Sequence, residues 1–284
     1  MIAATLRRQA SRRVLPGFGL SLGVTLTFVS LILLLPLTSL VGQLSQLSLS
    51  QYWFLISDPR ILASYRVTLL AAAVAALFNA AFGLLMAWVL VRYEFPGKRL
   101  VDALMDLPFA LPTAVAGVTL ATLYSSQGWV GRWLETLGLP IAYTWVGIAL
   151  AMAFTSIPFV VRTVQPILED LPSEVDEAAV TLGARDGHAF RRVILPHLWP
   201  ALVTGTGLAF VRSLGEFGAV IFIAGGKPFE TEITSLMIFV KLQEYDYAGA
   251  AAVASIVLAT SLALLLLINL WQGRFIRRLH GGGA

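Results

Sequence analysis

The chain contains no cysteine, only three histidines and very little charge. Without cysteine no disulfide framework can form, and the composition carries no mark of a redox compartment. His188, His197 and His280 stand at no metal-ligand spacing and have no thiol partners. A nucleotide site is missing as well. Gly225-Gly226-Lys227 is the one string like a phosphate loop, yet no Ser or Thr follows the lysine and no glycine stands five positions before Gly226, so the G-x-x-x-x-G-K-S/T pattern fails. No Ser/His/Asp grouping marks a nucleophile within the apolar segments. There is no tandem repeat and no low-complexity linker, so the chain reads as one integral domain. Whatever work it takes part in must draw energy from another chain.

Charge is the informative scarcity. Of 284 residues 13% are charged and 57% are hydrophobic, with a mean hydropathy of +0.80, whereas soluble domains carry about 25% charged residues. A chain with so few charges exposes its surface to lipid. Charge-free runs cover Val14–Ser57, Val67–Val91, Leu107–Gly131, Thr136–Val161 and Tyr247–Gly273. About 20 apolar residues cross a bilayer as a helix, and each run is long enough. A further apolar stretch, Val193–Gly226, holds His197, Arg212 and Glu216. The pattern predicts an all-α integral membrane protein with six spans, near 18–42, 66–91, 107–126, 143–163, 199–224 and 248–272.

The net charge of +4 is no nucleic-acid footprint, because its distribution follows the loops. With a cytoplasmic N-terminus, Arg7, Arg8, Arg12, Arg13, Arg92, Lys98, Arg99, Arg162, Arg185, Arg191, Arg192, Arg274, Arg277 and Arg278 fall inside. Outside fall Arg60, Arg66, Arg132, Lys227 and Lys241. Positive residues are retained on the cytoplasmic side, so both termini are expected there. The apolar run after the N-terminal arginines is too long for a signal peptide and no small-residue cleavage site follows it, which makes it an uncleaved first span.

Three units follow. Residues 1–65 hold the cytoplasmic N-terminus, the first span and a polar external segment, Gln43–Ser64, that sets this span at the periphery. Residues 66–273 form a core of five spans with a cytoplasmic loop at 166–196, and 274–284 are a cytoplasmic tail. The third span opens on Asp106-Leu107-Pro108, with Pro112 and Thr113 further on. Pro108 suits a first helical turn, whereas Pro112 bends or ends the helix. Irregular backbone at membrane depth is tolerated only where protein or a cavity covers it, so this span faces either the interior or a pathway. Ala248, Gly249, Ala250, Ala251, Ala252, Ala254 and Ser255 near one end of the last span are explained by close helix packing.

The longest charged stretch runs from Arg162 to Arg192, between long apolar segments. Pro172 halts the incoming backbone and Ser173 can cap a helix, with Asp176 three residues on. Glu174, Asp176 and Glu177 crowd the first turn, where the helix dipole favours negative charge. The helix is expected to run through Ala178, Ala179, Val180 and Leu182 to a glycine cap at Gly183. A second short helix begins near Asp186 and carries Arg191 and Arg192 in its last turn, and Pro196 separates it from the fifth span. The product is a charged knob with a small apolar face. An amphipathic pair lying on the membrane is the other reading of the periodicity, but the acidic first turn repels anionic lipid.

Glu177-Ala178-Ala179, then Gly183, then Leu195-Pro196 resembles the cytoplasmic coupling loop of ABC-importer permeases. The chain is similar to type I, MetI-like importer permeases over nearly its whole length. The strings Asp106–Thr119 and Leu214–Gly218, preceded by Arg212, resemble the T-type subunits of sulfate/thiosulfate permeases, with the molybdate/tungstate permeases as neighbours. The resemblance implies a sulfate or similar oxyanion as cargo. It also implies a second, homologous W-type permease, two cytoplasmic ABC ATPases docked on the loop, a periplasmic sulfate-binding protein and a bacterial inner-membrane location. ATP and Mg belong to the ATPases; this chain binds no cofactor.

Arg212 and Glu216, four residues apart within a span, share a helix face. Intramembrane charges mark function or pair with one another. Arg212 either attracts a divalent oxyanion, which guanidinium suits, or neutralises Glu216 to fix the helix packing. An ATP-independent secondary transporter is the competing class. It would need paired intramembrane carboxylates or a proton relay, and only Glu216 and Asp106 are available.

Overall fold

The computed structural model describes residues 17–172, 174, 181 and 183–280, and in these every regular element is helical. α1 spans Phe18–Leu44, α2 Leu49–Ile56 and α3 Pro59–Arg92. Then come α4 (Lys98–Met105), α5 (Leu107–Ala110), α6 (Thr113–Tyr124) and α7 (Gly131–Thr136). α8 covers Trp145–Glu169 and α9 Gly187–Leu214. α10 (Val220–Ile223), α11 (Thr234–Gln243) and α12 (Tyr247–His280) complete the chain.

Among the described residues five helices are long and apolar enough to cross a membrane: α1, α3, α8, α9 and α12. The six expected spans therefore need correction at two places. The third has only 12 continuous helical residues, α6, preceded by the broken pieces α4 and α5. Leu111 and Pro112 are extended (φ −84°, ψ 135° and φ −55°, ψ 128°). Pro112 has no N–H to continue the ladder, and a residue before proline is pushed out of the α region. The fifth was expected to reach residue 224 but ends at Leu214, with Gly215 as its cap.

Pro196 was expected to divide the coupling loop from the fifth span, and it does not. α9 is continuous through it, because Phe190–Ile194 forms a π turn in which the Leu195 N–H donates to the Phe190 carbonyl. The wider turn respaces the carbonyls that a proline ring would otherwise strike. The same device recurs in α1, where a π turn over Ser30–Leu34 precedes Pro36.

α3, α8 and α9 make the central three-helix layer, and α12 packs on α9 and α11. Small residues permit this approach. A Cβ on Gly83 would stand 2.8 Å from a Val160 methyl, and one on Gly205 2.9 Å from the Val160 Cα. A buried polar seam crosses the same layer: Asn79 Nδ2 donates to the Ala153 carbonyl at 3.0 Å and to Ser156 Oγ at 2.9 Å, and Ser213 Oγ lies 3.2 Å from Ser156 Oγ. Ala250, Ala251 and Ala252 of α12 are buried, as close packing requires. α1 differs from all of these. None of its residues is buried, and its 35–44 portion leans on α12.

Candidate functional site

Arg162, in the last third of α8, organises the charged end of the bundle. Its Nε and Nη2 donate to the two oxygens of Asp106 at 2.8 and 2.6 Å. Nη1 donates to Asp102 Oδ1 at 2.6 Å and to Gln165 Oε1 at 2.7 Å, and Nη2 reaches the Asp102 carbonyl at 2.9 Å. The planar guanidinium fork makes such multidentate capture possible. Asp106 lies at the junction of α4 and α5. Next along, Pro108 is buried in α5, and Phe109 meets Phe159 edge to face at 5.4 Å. A cavity of about 690 Å³ opens beside this cluster, lined by Glu94, Lys98, Arg99, Asp102, Gln165 and Glu169 among others.

The loop expected to couple to an ATPase begins where α8 ends. Glu177, Ala178 and Ala179, with the helix expected around them, lie outside the described residues. Gly183 holds φ +82°, a left-handed conformation suited to glycine. Beyond it the chain enters α9 directly, with Leu195 and Pro196 inside that helix. Phe190 packs edge to face on Trp88 at 5.2 Å, and the Arg92 guanidinium lies 5.6 Å from the same indole ring, joining the loop's exit to the end of α3.

Arg212 and Glu216 meet, but not as two residues of one helix. Glu216 lies beyond the end of α9, yet its Oε2 is 2.8 Å from Arg212 Nη1, a charge contact without hydrogen-bond alignment. Glu216 is 1% exposed while the Arg212 side chain is 33% exposed. The other oxygen, Oε1, accepts from the Ala219 N–H at 3.0 Å, and the Glu216 carbonyl accepts from Ser235 Oγ at 2.8 Å. This turn presses against α6: a Cβ on Gly117 would fall 2.3 Å from the Ala219 carbonyl oxygen, and one on Gly218 would fall 2.2 Å from Thr113 Oγ1. Thr113 and Glu216 thus share one packed region, while Asp106 and Pro108 belong to the Arg162 cluster.

Residue types alone left three contributors unmarked. Arg162 counted only as a loop charge, although the pattern Asp102, Asp106 on an amphipathic α4 could have suggested a basic partner. At the opposite end Arg60 grips buried Glu232 in a bidentate pair, at 2.8 and 2.5 Å. Thr68 accepts from the Thr234 N–H at 2.9 Å, tying α3 to the start of α11. Both pairs are more than 160 residues apart in sequence, and no local pattern signals them.

The described residues form a bundle in which five helices are long and apolar enough to cross a membrane, with a charged segment between α8 and α9. The chain belongs to the family of binding-protein-dependent transport system inner membrane components, whose model matches residues 79–281. It is 64% identical over 272 residues to the sulfate transport system permease protein CysT of Salmonella typhimurium strain LT2, covering 96% of this chain and 98% of that one. The fold is that of an ABC-importer permease. It matches a chain of a bacterial alginate ABC transporter, crystallised with a periplasmic protein carrying an alginate pentasaccharide, with a TM-score of 0.74 at 19% identity, over 90% of this chain and 94% of that one. It also matches a chain of the inward-facing MetNI methionine ABC transporter with a TM-score of 0.54 at 21% identity, over 82% and 99%.

Proposed function

We propose that this chain is the T-type permease subunit of an ATP-driven importer for sulfate or thiosulfate. The identity of 64% along almost the whole of a sulfate permease carries this reading. The chain supplies half of the membrane pathway, and a homologous W-type permease supplies the other half. Two cytoplasmic ABC ATPases dock on the 166–196 loop around Glu177, and a periplasmic binding protein delivers the anion. ATP and Mg act in the ATPases. The arginine-rich loops support a cytoplasmic location for both termini and for the Arg162 end.

Radiolabelled sulfate uptake tests it, in bacteria deleted for their own T-type permease and expressing this chain with the remaining subunits. Uptake should return and should resist an equal concentration of molybdate. Restored molybdate uptake with no sulfate uptake would instead assign the chain to the molybdate/tungstate importers.

A further inference from the structure

The third membrane element has two halves, the segment leading in and the span itself. Both pack on α8, the second through Ala121 in the core cluster of Ile148, and each is fastened at a further place of its own. The first half, α4 and α5, is tied to α8 by the Arg162 hydrogen bonds to Asp102 and Asp106 and by the Phe109–Phe159 contact. The second half, α6, lies backbone against backbone on the 215–220 turn through Gly117, Gly218 and Ala219. Only the extended pair Leu111 and Pro112 joins them. The Leu111 N–H closes α5 on the Leu107 carbonyl, and the Pro112 carbonyl opens α6 by accepting from Val115 and Ala116. No helical bond runs from one half to the other, so their mutual angle changes without breaking a ladder. α8, for its part, runs from Arg162 to Glu169 and directly into the segment that leads to the coupling loop.

We propose that Arg162 is a positioning residue that makes α4 and α5 move with α8, so that displacement of the coupling loop turns this half of the third span about Leu111–Pro112 while α6 stays with the 215–220 turn. A bidentate grip fixes orientation as well as distance, which a rotation of this kind requires. The movement would open or close the cytoplasmic mouth of the pathway. The proposal rests on the reading of the 166–196 loop as the ATPase dock.

The test uses the complete complex of permeases, ATPases and binding protein in proteoliposomes, with partner cysteines replaced; this chain has none of its own. Spin labels go on Leu100→Cys with Ile167→Cys, and separately on Leu100→Cys with Trp129→Cys, all at exposed positions. Between the nucleotide-free and ATP-bound states the first distance should stay constant and the second should change. In the unlabelled complex Arg162→Met should lower sulfate uptake per ATP hydrolysed about tenfold, the size of a typical coupling energy, and Arg162→Lys should recover part. A change in the Leu100–Ile167 distance as large as that of Leu100–Trp129 overturns the proposal, and so does wild-type uptake per ATP in Arg162→Met. If Arg162→Met does not assemble, the two distances decide alone. ATPases cross-linking elsewhere than the 166–196 loop would overturn the docking reading, and the distances would still judge Arg162.

Discussion

Glu216 is almost wholly covered while its partner Arg212 is one-third exposed, so the two ends of the pair respond differently to removal. Arg212→Met leaves a carboxylate buried without a countercharge, and breaking a buried pair in this way typically costs about 3–5 kcal/mol. Glu216→Met also removes the acceptor for the Ala219 N–H. Each single variant should lower the yield of assembled complex, and the double Met variant should recover part of the loss seen with Arg212→Met. Normal assembly of Arg212→Met with a higher sulfate concentration at half-maximal uptake would show Arg212 to be a pathway residue instead.

Elements were legible where nothing interrupts the apolar run. α3, α8 and α12 stand where unbroken hydrophobic segments place them, because burial in lipid needs only length and composition. The misplaced boundaries all involve Pro or Gly. Pro112 does break its helix, but the extent of the break depends on α5 docking against α8. Pro196 breaks nothing, because the preceding π turn absorbs it. Gly215 ends α9 where hydropathy alone continues. Of the candidate site, the Arg212–Glu216 pair was visible through spacing, whereas the Arg162–Asp106 pair joins residues 56 apart in sequence, beyond any local pattern. Gly183 supports a prediction at this scale. Its φ of +82° is one that a β-branched residue adopts only at about 1–3 kcal/mol of strain. Gly183→Val should insert at normal level and hydrolyse ATP without matching uptake. Wild-type uptake with that variant, at equal membrane abundance, sinks the docking reading of the loop.

At the scale of the whole molecule, a chain with no nucleotide-binding pattern, and on the proposed function only half of a pathway, should be inert by itself. Purified and reconstituted without partners, it should neither hydrolyse ATP nor move sulfate. ATP turnover in that preparation, contaminating ATPases excluded, contradicts the assignment of energy to another subunit. The exposed length of α1 fits the same picture, since a helix with no buried residue in this chain, leaning on α12 at its 35–44 portion, adds to the assembly or the lipid boundary and little to the core.

The gap at Leu111–Pro112 has a consequence for water. The first amides of α6, on Thr113 and Ala114, have no acceptor within their own helix. With 12 residues in α6 and a rise of about 1.5 Å per residue, they stand about 18 Å inward from its far end, within a hydrocarbon layer about 30 Å thick. Unpaired N–H groups do not persist in hydrocarbon, so these amides need protein or water as partners. Since this chain leaves Thr113 half-buried and Ala114 exposed, water reaching this depth is the expected outcome. Deuterium from the solvent should reach the Thr113 and Ala114 amides far sooner than the amides of Ala151 and Met152, buried in unbroken α8. Equal, slow exchange at both places would mean that the break is sealed and dry.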